Sequence, residues 1–138
     1  MNLYMEHINV NARSVDESMN FFKTAFPDFE VRGEGKRADG KGRWVHFGTP
    51  ETYIAINEGR GAKEGERYEG VGINHVGFVV DDIEGVGQRL KEAGYQRSYP
   101  VQNQRFRIRD YFLDADGNEY EFVQYLSDKP EERNDYSE

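Results

Sequence analysis

The sequence predicts an α+β fold: two tandem β-α-β-β-β modules forming a curled mixed sheet around a cavity. Three observations predict it. Met5-Glu6-His7-Ile8-Asn9-Val10 and Ile73-Asn74-His75-Val76-Gly77-Phe78 are both β-rich stretches carrying one histidine. Each is followed at the same interval by a helix-capping side chain, Ser14 in one case and Asp82 in the other. Two later hairpins, turning at residues 48–51 and 114–118, also correspond.

The elements follow in order. Residues 4–11 alternate and read as a strand. Ser14-Val15-Asp16-Glu17 is a capping box, and Val15, Met19, Phe22 and Phe26 recur at helical spacing until Pro27 ends the helix. Residues 29–32 form a short strand. Residues 33–42 are basic and glycine-rich. Gly33 and Gly35 begin a G-x-G-x-x-G pattern, but Ala38 takes the third glycine position and a strand rather than a helix follows. That excludes a phosphate cradle and leaves a hairpin loop. Residues 43–47 and 52–57 are a hairpin. Residues 58–70 are charged and nearly free of apolar side chains, the expected linker between a first module (1–57) and a second (71–126).

The second module repeats the programme. A strand over residues 73–80 leads to a helix from Asp82 to about Ala93, with Gly94 as its C-terminal cap and Gly85 and Gly87 weakening its interior. Strands at 95–99, 107–113 and 119–125 complete the module. The polar tail, 127–138, is expected to fray. An offset of 68 superposes His7 on His75, Val15 on Ile83 and Phe22 on Leu90. An offset of 66 superposes Phe47 on Leu113 and Ala55 on Glu121. His7 and His75 therefore hold the same place in duplicated strands, which would aim both at one cavity.

Composition narrows the function. Eighteen Lys and Arg against 26 Asp and Glu give a net charge of −8, which disfavours nucleic acid and anionic membrane surfaces as partners. With no cysteine, thiolate metal sites, disulfides and cysteine nucleophiles are excluded. Neither a signal peptide nor a membrane-spanning run is found, so a cytoplasmic location is expected.

His7 in Glu6-His7-Ile8-Asn9-Val10, His75 in Asn74-His75-Val76-Gly77-Phe78 and Glu121 in Asp114-Ala115-Asp116-Gly117-Asn118-Glu119-Tyr120-Glu121-Phe122 resemble the vicinal oxygen chelate superfamily. That group includes glyoxalase I, fosfomycin-resistance transferases, extradiol dioxygenases, methylmalonyl-CoA epimerase and bleomycin-resistance proteins. The resemblance spans residues 3–126 and implies a divalent metal (Fe, Mn, Ni, Co or Zn) held by His7, His75 and Glu121. Strand parity agrees for Glu121, since Tyr120 and Phe122 take the opposite face. Ala55 stands where glyoxalase I carries a fourth ligand, which argues against glyoxalase I chemistry.

The resemblance also places Arg109 and Tyr111 near the metal. There Arg109 would bind a carboxylate or phosphonate, and Tyr111, with Glu121, would serve catalysis by moving a proton or steadying an oxyanion. Asn9, Tyr53 and Asn57 would line the substrate side. The row Arg105, Arg107, Arg109 reads equally well as the solvated face of an edge strand. His46 and Trp44 read as packing residues. The expected function is a metal-dependent lyase, isomerase, transferase or dioxygenase acting on a small oxygen-bearing substrate, working as a homodimer. The alternatives are a metal-independent sequestering protein of the bleomycin-resistance kind and a non-catalytic sensor or partner module.

Overall fold

The computed structural model describes residues 4–61 and 73–137. The chain divides into two compact units, Met1–Lys63 and Glu64–Glu138. The first carries β1 (His7–Ala12), α1 (Val15–Ala25), β2 (Glu30–Lys36), β3 (Arg43–Gly48) and β4 (Tyr53–Glu58). The second carries β5 (His75–Val79), α2 (Ile83–Glu92), β6 (Arg97–Asn103), β7 (Arg107–Leu113), β8 (Glu119–Tyr125) and α3 (Pro130–Arg133). The strand orders are β1-β4-β3-β2 and β5-β8-β7-β6. In each unit the first and last strands of the module pair in parallel and the remaining pairs are antiparallel. The predicted α+β class and β-α-β-β-β order hold in both units. The linker residues 62–70 and Gly72 lie outside the described residues. No helix among the described residues is long and apolar enough to cross a membrane.

Alternation explains both cores. In the first unit Val45, Phe47, Ile54 and Ile56 are buried, and α1 lies on β3 and β4. Ser14 caps that helix by accepting the backbone N–H of Glu17 at 3.2 Å. The buried face of α1 is Val15, Ser18, Phe21, Phe22 and Ala25, rotated from the predicted stripe. Adjacent phenylalanines cannot both fit a narrow stripe. Burying Phe21 as well as Phe22 is worth roughly 2–3 kcal/mol, and Met19 and Phe26 turn partly outward in exchange. In the second unit Ile83, Val86 and Leu90 of α2 are buried with Phe112, Tyr120 and Phe122.

Four expectations need correction. The loop expected at 33–42 is shorter: β2 runs to Lys36, and the turn proper, 37–42, is closed by Arg37 N–H donating to the Gly42 carbonyl at 2.8 Å. The strand expected at 95–99 starts later, because the Tyr95 N–H is spent on the Leu90 carbonyl in closing α2, where Gly94 takes φ 91°. Phe47 corresponds to Phe112 rather than Leu113. His46 pairs with Ala55 and Tyr111 with Glu121, and the second hairpin is one residue longer. Finally, β7 is an interior strand and Arg107 is 4% exposed. Its guanidinium donates to the carbonyls of Arg133 and Asp135 at 3.0 and 2.9 Å, so the C-terminal segment is helical and anchored rather than frayed.

Gly87 has a packing reason that propensity hides. A Cβ there would lie 2.6 Å from Asp110 Oδ2 and 2.8 Å from Arg97 Nη2. Those residues form a two-pronged ion pair (2.9 and 3.0 Å) pressed against the helix. Helix propensity alone favours Gly87→Ala by about 1 kcal/mol. We predict the opposite sign, a net loss of roughly 1–3 kcal/mol from overpacking. Urea unfolding checks it, and a higher midpoint in the variant would refute the clash.

Burial pushes the Tyr120 phenol far above its ordinary value. Such a group contributes stability that is fully present below the unfolded value of about 10 and is lost as pH rises past it. Native stability is therefore expected to fall above pH ~10 at up to about 1.4 kcal/mol per pH unit from this group. Tyr120→Phe should flatten that part of the stability–pH curve.

Candidate functional site

In each unit one sheet face packs under a helix and the other carries the polar side chains. In the second unit that polar face holds His75, Glu119, Glu121, Arg107, Arg109 and Tyr111. His75 opens β5 opposite Glu119, and Gly77 stands opposite Glu121. A Cβ on Gly77 would lie 3.7 Å from Glu121 Oε2. That is ordinary contact distance, and the Glu121 carboxylate reaches past Gly77 to His75, whose Nε2 lies 3.1 Å from Oε2. His75 Nδ1 lies 2.7 Å from Asn74 Oδ1. An amide oxygen accepts only, so this contact puts the imidazole proton on Nδ1. Both ring nitrogens thus face acceptor oxygens, an arrangement satisfied either by a proton on each nitrogen or by a cation held between Nε2 and the carboxylate.

Tyr111 pairs with Glu121 across β7 and β8, and its ring meets His75 edge-on at 6.0 Å. Burial first, then the Glu121 charge, raises the Tyr111 phenol above its usual value, with Arg109 pulling the other way. The phenol is held as a donor. Arg109 Nη2 donates to Gln104 Oε1 at 3.1 Å. Its Nε is buried and has no hydrogen-bond partner among the described residues. Glu119 is a residue to which sequence reasoning gave no role. It is 2% exposed, and its Oε1 lies 3.8 Å from His75 Nδ1. The signal that could have found it was register, since a parallel pair starting at His75 must place the first residue of β8 beside it.

In the first unit His7 Nδ1 lies 2.8 Å from Glu6 Oε1. The hydrogen bond from His7 holds the Glu6 carboxyl below its usual value. The His7 ring stacks on Tyr53 at 4.7 Å, and the Tyr53 hydroxyl donates to Glu6 Oε1 at 3.3 Å. Burial, then the Glu6 charge, raises the Tyr53 phenol. The Asn57 amide donates to Asn9 Oδ1. His46 and Trp44 lie on this same face, with His46 4.7 Å from Tyr53 and 4.9 Å from Trp44. Ala55, 3% exposed, brings no charge.

The two units thus share a device. The residue before each histidine accepts from Nδ1, a carboxylate at Glu6 and an amide at Asn74, and leaves Nε2 for another partner. Outer partners of this kind fix the tautomer of metal-binding imidazoles. The donor set is nitrogen and oxygen, which suits a divalent metal of intermediate softness. Of the expected ligands the structure brings His75 and Glu121 together, and His7 belongs to the other unit. Among the described residues no group of three His, Cys, Asp or Glu side chains is assembled as a metal site. Of the expected substrate contacts, Asn9, Tyr53 and Asn57 share one face of the first unit, while Arg109 and Tyr111 share one face of the second.

Paired β-α-β-β-β units, each opening on a histidine, define a glyoxalase-type fold. The chain belongs to the Glyoxalase/Bleomycin resistance protein/Dioxygenase superfamily, whose model matches residues 4–122. The vicinal oxygen chelate resemblance is borne out. A curated relative, the probable trivalent organoarsenical cleaving enzyme of Bacillus subtilis (strain 168), is 28% identical over 137 residues, covering 95% of this chain and 86% of that protein. Among solved structures, a glyoxylase/bleomycin resistance protein/dioxygenase domain from Frankia sp. EAN1pec matches with a TM-score of 0.74 at 21% identity, covering 91% of this chain and 99% of that one. The fosfomycin resistance protein FosX of Listeria monocytogenes, also solved with Mn(II) and a sulfate ion, matches with a TM-score of 0.72 at 20% identity, covering 96% and 99%. At these identities the solved structures bear on the fold alone.

With both histidines neutral, nitrogen NMR is expected to show the Nδ1–H tautomer for each. An Nε2–H signal for His75 would mean that its imidazole donates to Glu121 and that the site needs no further cation.

Proposed function

We propose that this protein is a divalent-metal enzyme acting on a small, anionic, oxygen-bearing substrate, with His75, Glu121 and His7 as the metal ligands. The observation that carries the reading is the nitrogen–oxygen pair His75 Nε2 and Glu121 Oε2, 3.1 Å apart, with Nδ1 already tied to Asn74. Glu119, buried beside the same imidazole, adds to the demand for positive charge at this end of the sheet. Three protein ligands leave coordination positions open for substrate. When bound, such a metal supplies Lewis acidity toward adjacent substrate oxygens.

The chain's own residues do the rest. Arg109 offers a partly unsatisfied guanidinium to a carboxylate or phosphonate, the geometry an arginine fork recognises best. Tyr111, kept protonated, donates a hydrogen bond or a proton to developing oxyanion charge. Asn9, Asn57 and Tyr53 present amide and phenol groups to the remainder of the substrate.

Isomerisation, addition and dioxygenation all need these parts. The nitrogen and oxygen donor set supports the choice of metal class; FosX, a neighbour in fold, has been solved with Mn(II). Cleavage of a trivalent organoarsenical is less well supported. Trivalent arsenic is soft and thiol-seeking, and this chain has no cysteine. A metal-independent sequestering role is the second reading. A homodimer is the proposed assembly, supported by the exposed apolar residues Tyr99 and Val101 on the edge strand β6.

Free Mn(II), counted by electron paramagnetic resonance during titration, tests the reading. Wild type is expected to bind one ion per chain. His75→Ala and Glu121→Gln should each weaken binding by more than the ~10–100-fold typical of outer-shell changes. Undiminished binding in either variant would sink the assignment. Undiminished binding in His7→Ala alone would remove only that ligand.

A further inference from the structure

We propose that Trp44 is a stacking seat for a planar ring, so that the substrate of the proposed site is aromatic or otherwise flat and conjugated. The inference rests on the reading that the polar face of the first unit receives that substrate. It starts from Gly33 and Gly35, the two glycines of the incomplete G-x-G-x-x-G pattern. Gly35 pairs with Trp44 across β2 and β3. A Cβ on Gly35 would meet three indole atoms, Cε2, Cζ2 and Nε1, each at 3.0 Å. A Cβ on Gly33 would lie 3.8 and 3.9 Å from the far ring atoms Cζ3 and Cη2. Equal distances to three ring atoms mean that the indole lies face-on over the strand. The G-x-G is thus a flat bed for an indole, and Trp44 remains only half-buried.

The bed leads somewhere. Trp44, His46, Tyr53 and His7 form a row of rings across β3, β4 and β1, with successive centroids 4.9, 4.7 and 4.7 Å apart. The aliphatic side chains of these strands, Val45, Ile54 and Ile56, lie on the opposite face under α1. One side of Tyr53 already carries the Arg32 guanidinium, 4.0 Å from its centroid. Trp44 and His46 are half-exposed, His7 at the far end is exposed, and Tyr53 between them is buried. The rings are tilted by 49° and 30° at the Trp44 end and stacked only between Tyr53 and His7; a flat ligand can lie parallel to the indole face at offset-stacking distance, a contact that a puckered ring makes only through its C–H edges. A tryptophan over edge-strand glycines also restores packing that glycine lacks. That role alone predicts no dependence of ligand affinity on ring flatness.

Two monoanions separate the possibilities: benzoate, which is flat, and cyclohexanecarboxylate, which is puckered and more apolar. Trp44 is the chain's single tryptophan, so its emission reports on the seat directly. Titrations are run on the full chain with Mn(II) and after chelation, with calorimetry for affinity. Benzoate is expected to quench Trp44 emission saturably and to bind at least about fivefold tighter than the saturated acid, as base–aromatic stacking implies. Trp44→Leu should abolish that preference and Trp44→Phe should keep it. Gly35→Ala, which displaces the indole without removing it, should reduce it.

Equal or tighter binding of the saturated acid overturns the seat. So does a preference that survives Trp44→Leu, or binding of neither acid. His75→Ala keeps the two readings apart. If Mn(II) strengthens both acids alike in wild type but not in His75→Ala, and emission never changes, the metal reading stands and the seat falls. If the benzoate preference persists while neither Mn(II) nor His75→Ala changes affinity, the seat stands and the metal reading falls.

Discussion

Each unit depends on the parallel pairing of its first and last strands. In β5 and β8 that pairing sets His75 beside Glu119 and Gly77 beside Glu121. In β1 and β4 it sets His7 beside Tyr53 and Asn9 beside Ala55. A slip of one residue would turn every side chain of a strand to the other face. The polar face would then lose its histidine to the helix side, and the helix side would lose Phe78 or Val10. The apolar alternation that stabilises the core is therefore the same constraint that positions the chemistry. The candidate ligands need no dedicated scaffold. They are the off-beat residues of strands whose on-beat residues make the core.

Once register is held this tightly, duplication gives two faces that can diverge residue by residue. At the positions after the second hairpin turn, one unit carries Glu119 and Glu121 and the other carries Tyr53 and Ala55. On the neighbouring strand, Tyr111 corresponds to His46 and Arg109 to Trp44. Negative charge, a phenol and a guanidinium gather on one face, and rings and amides on the other. This is division of labour by substitution at matched sites. At Ala55, the counterpart of Glu121, the first unit carries no acid, and the same face carries a row of rings instead.

The features legible in the sequence were those set by local chemistry. Ser14 and Asp82 cap their helices, Gly94 closes α2, and the histidines fall at matching places because backbone propensity and period act over a few residues. The features that were not legible depend on partners distant in sequence. Gly87 looks like a weak helix residue until Arg97 and Asp110 are seen against it. Gly33 and Gly35 read as part of a plain hairpin loop until Trp44 is seen lying across them. Glu119 looks like a solvated strand residue until parallel pairing buries it beside His75. The one-residue error in matching Phe47 has the same origin, since a longer turn at Asp114–Asn118 shifts β7 against β8 without changing the pattern within either strand.

The arginine row on β7 shows how such partners settle a role that spacing leaves open. Arg105, Arg107 and Arg109 alternate alike, and any of them could be read as an anion site or as a solvated charge. Arg107 is committed elsewhere: Nε donates to Gln104 Oε1, while Nη1 and Nη2 donate to the carbonyls of Arg133 and Asp135. Tyr136 lies 4.8 Å from its guanidinium. Removing it would cost the anchoring of the C-terminal segment, so an altered ligand affinity in such a variant would say little about binding. Arg109 shares the Gln104 acceptor and keeps a buried Nε with no partner among the described residues. A desolvated donor left unpaired costs about 1–3 kcal/mol, a cost that an incoming anion would relieve. Of the two arginines within β7, Arg109 is therefore the one whose energetics would improve when an anion arrives, and that asymmetry, rather than its place in a motif, is the physical case for proposing it as a substrate contact.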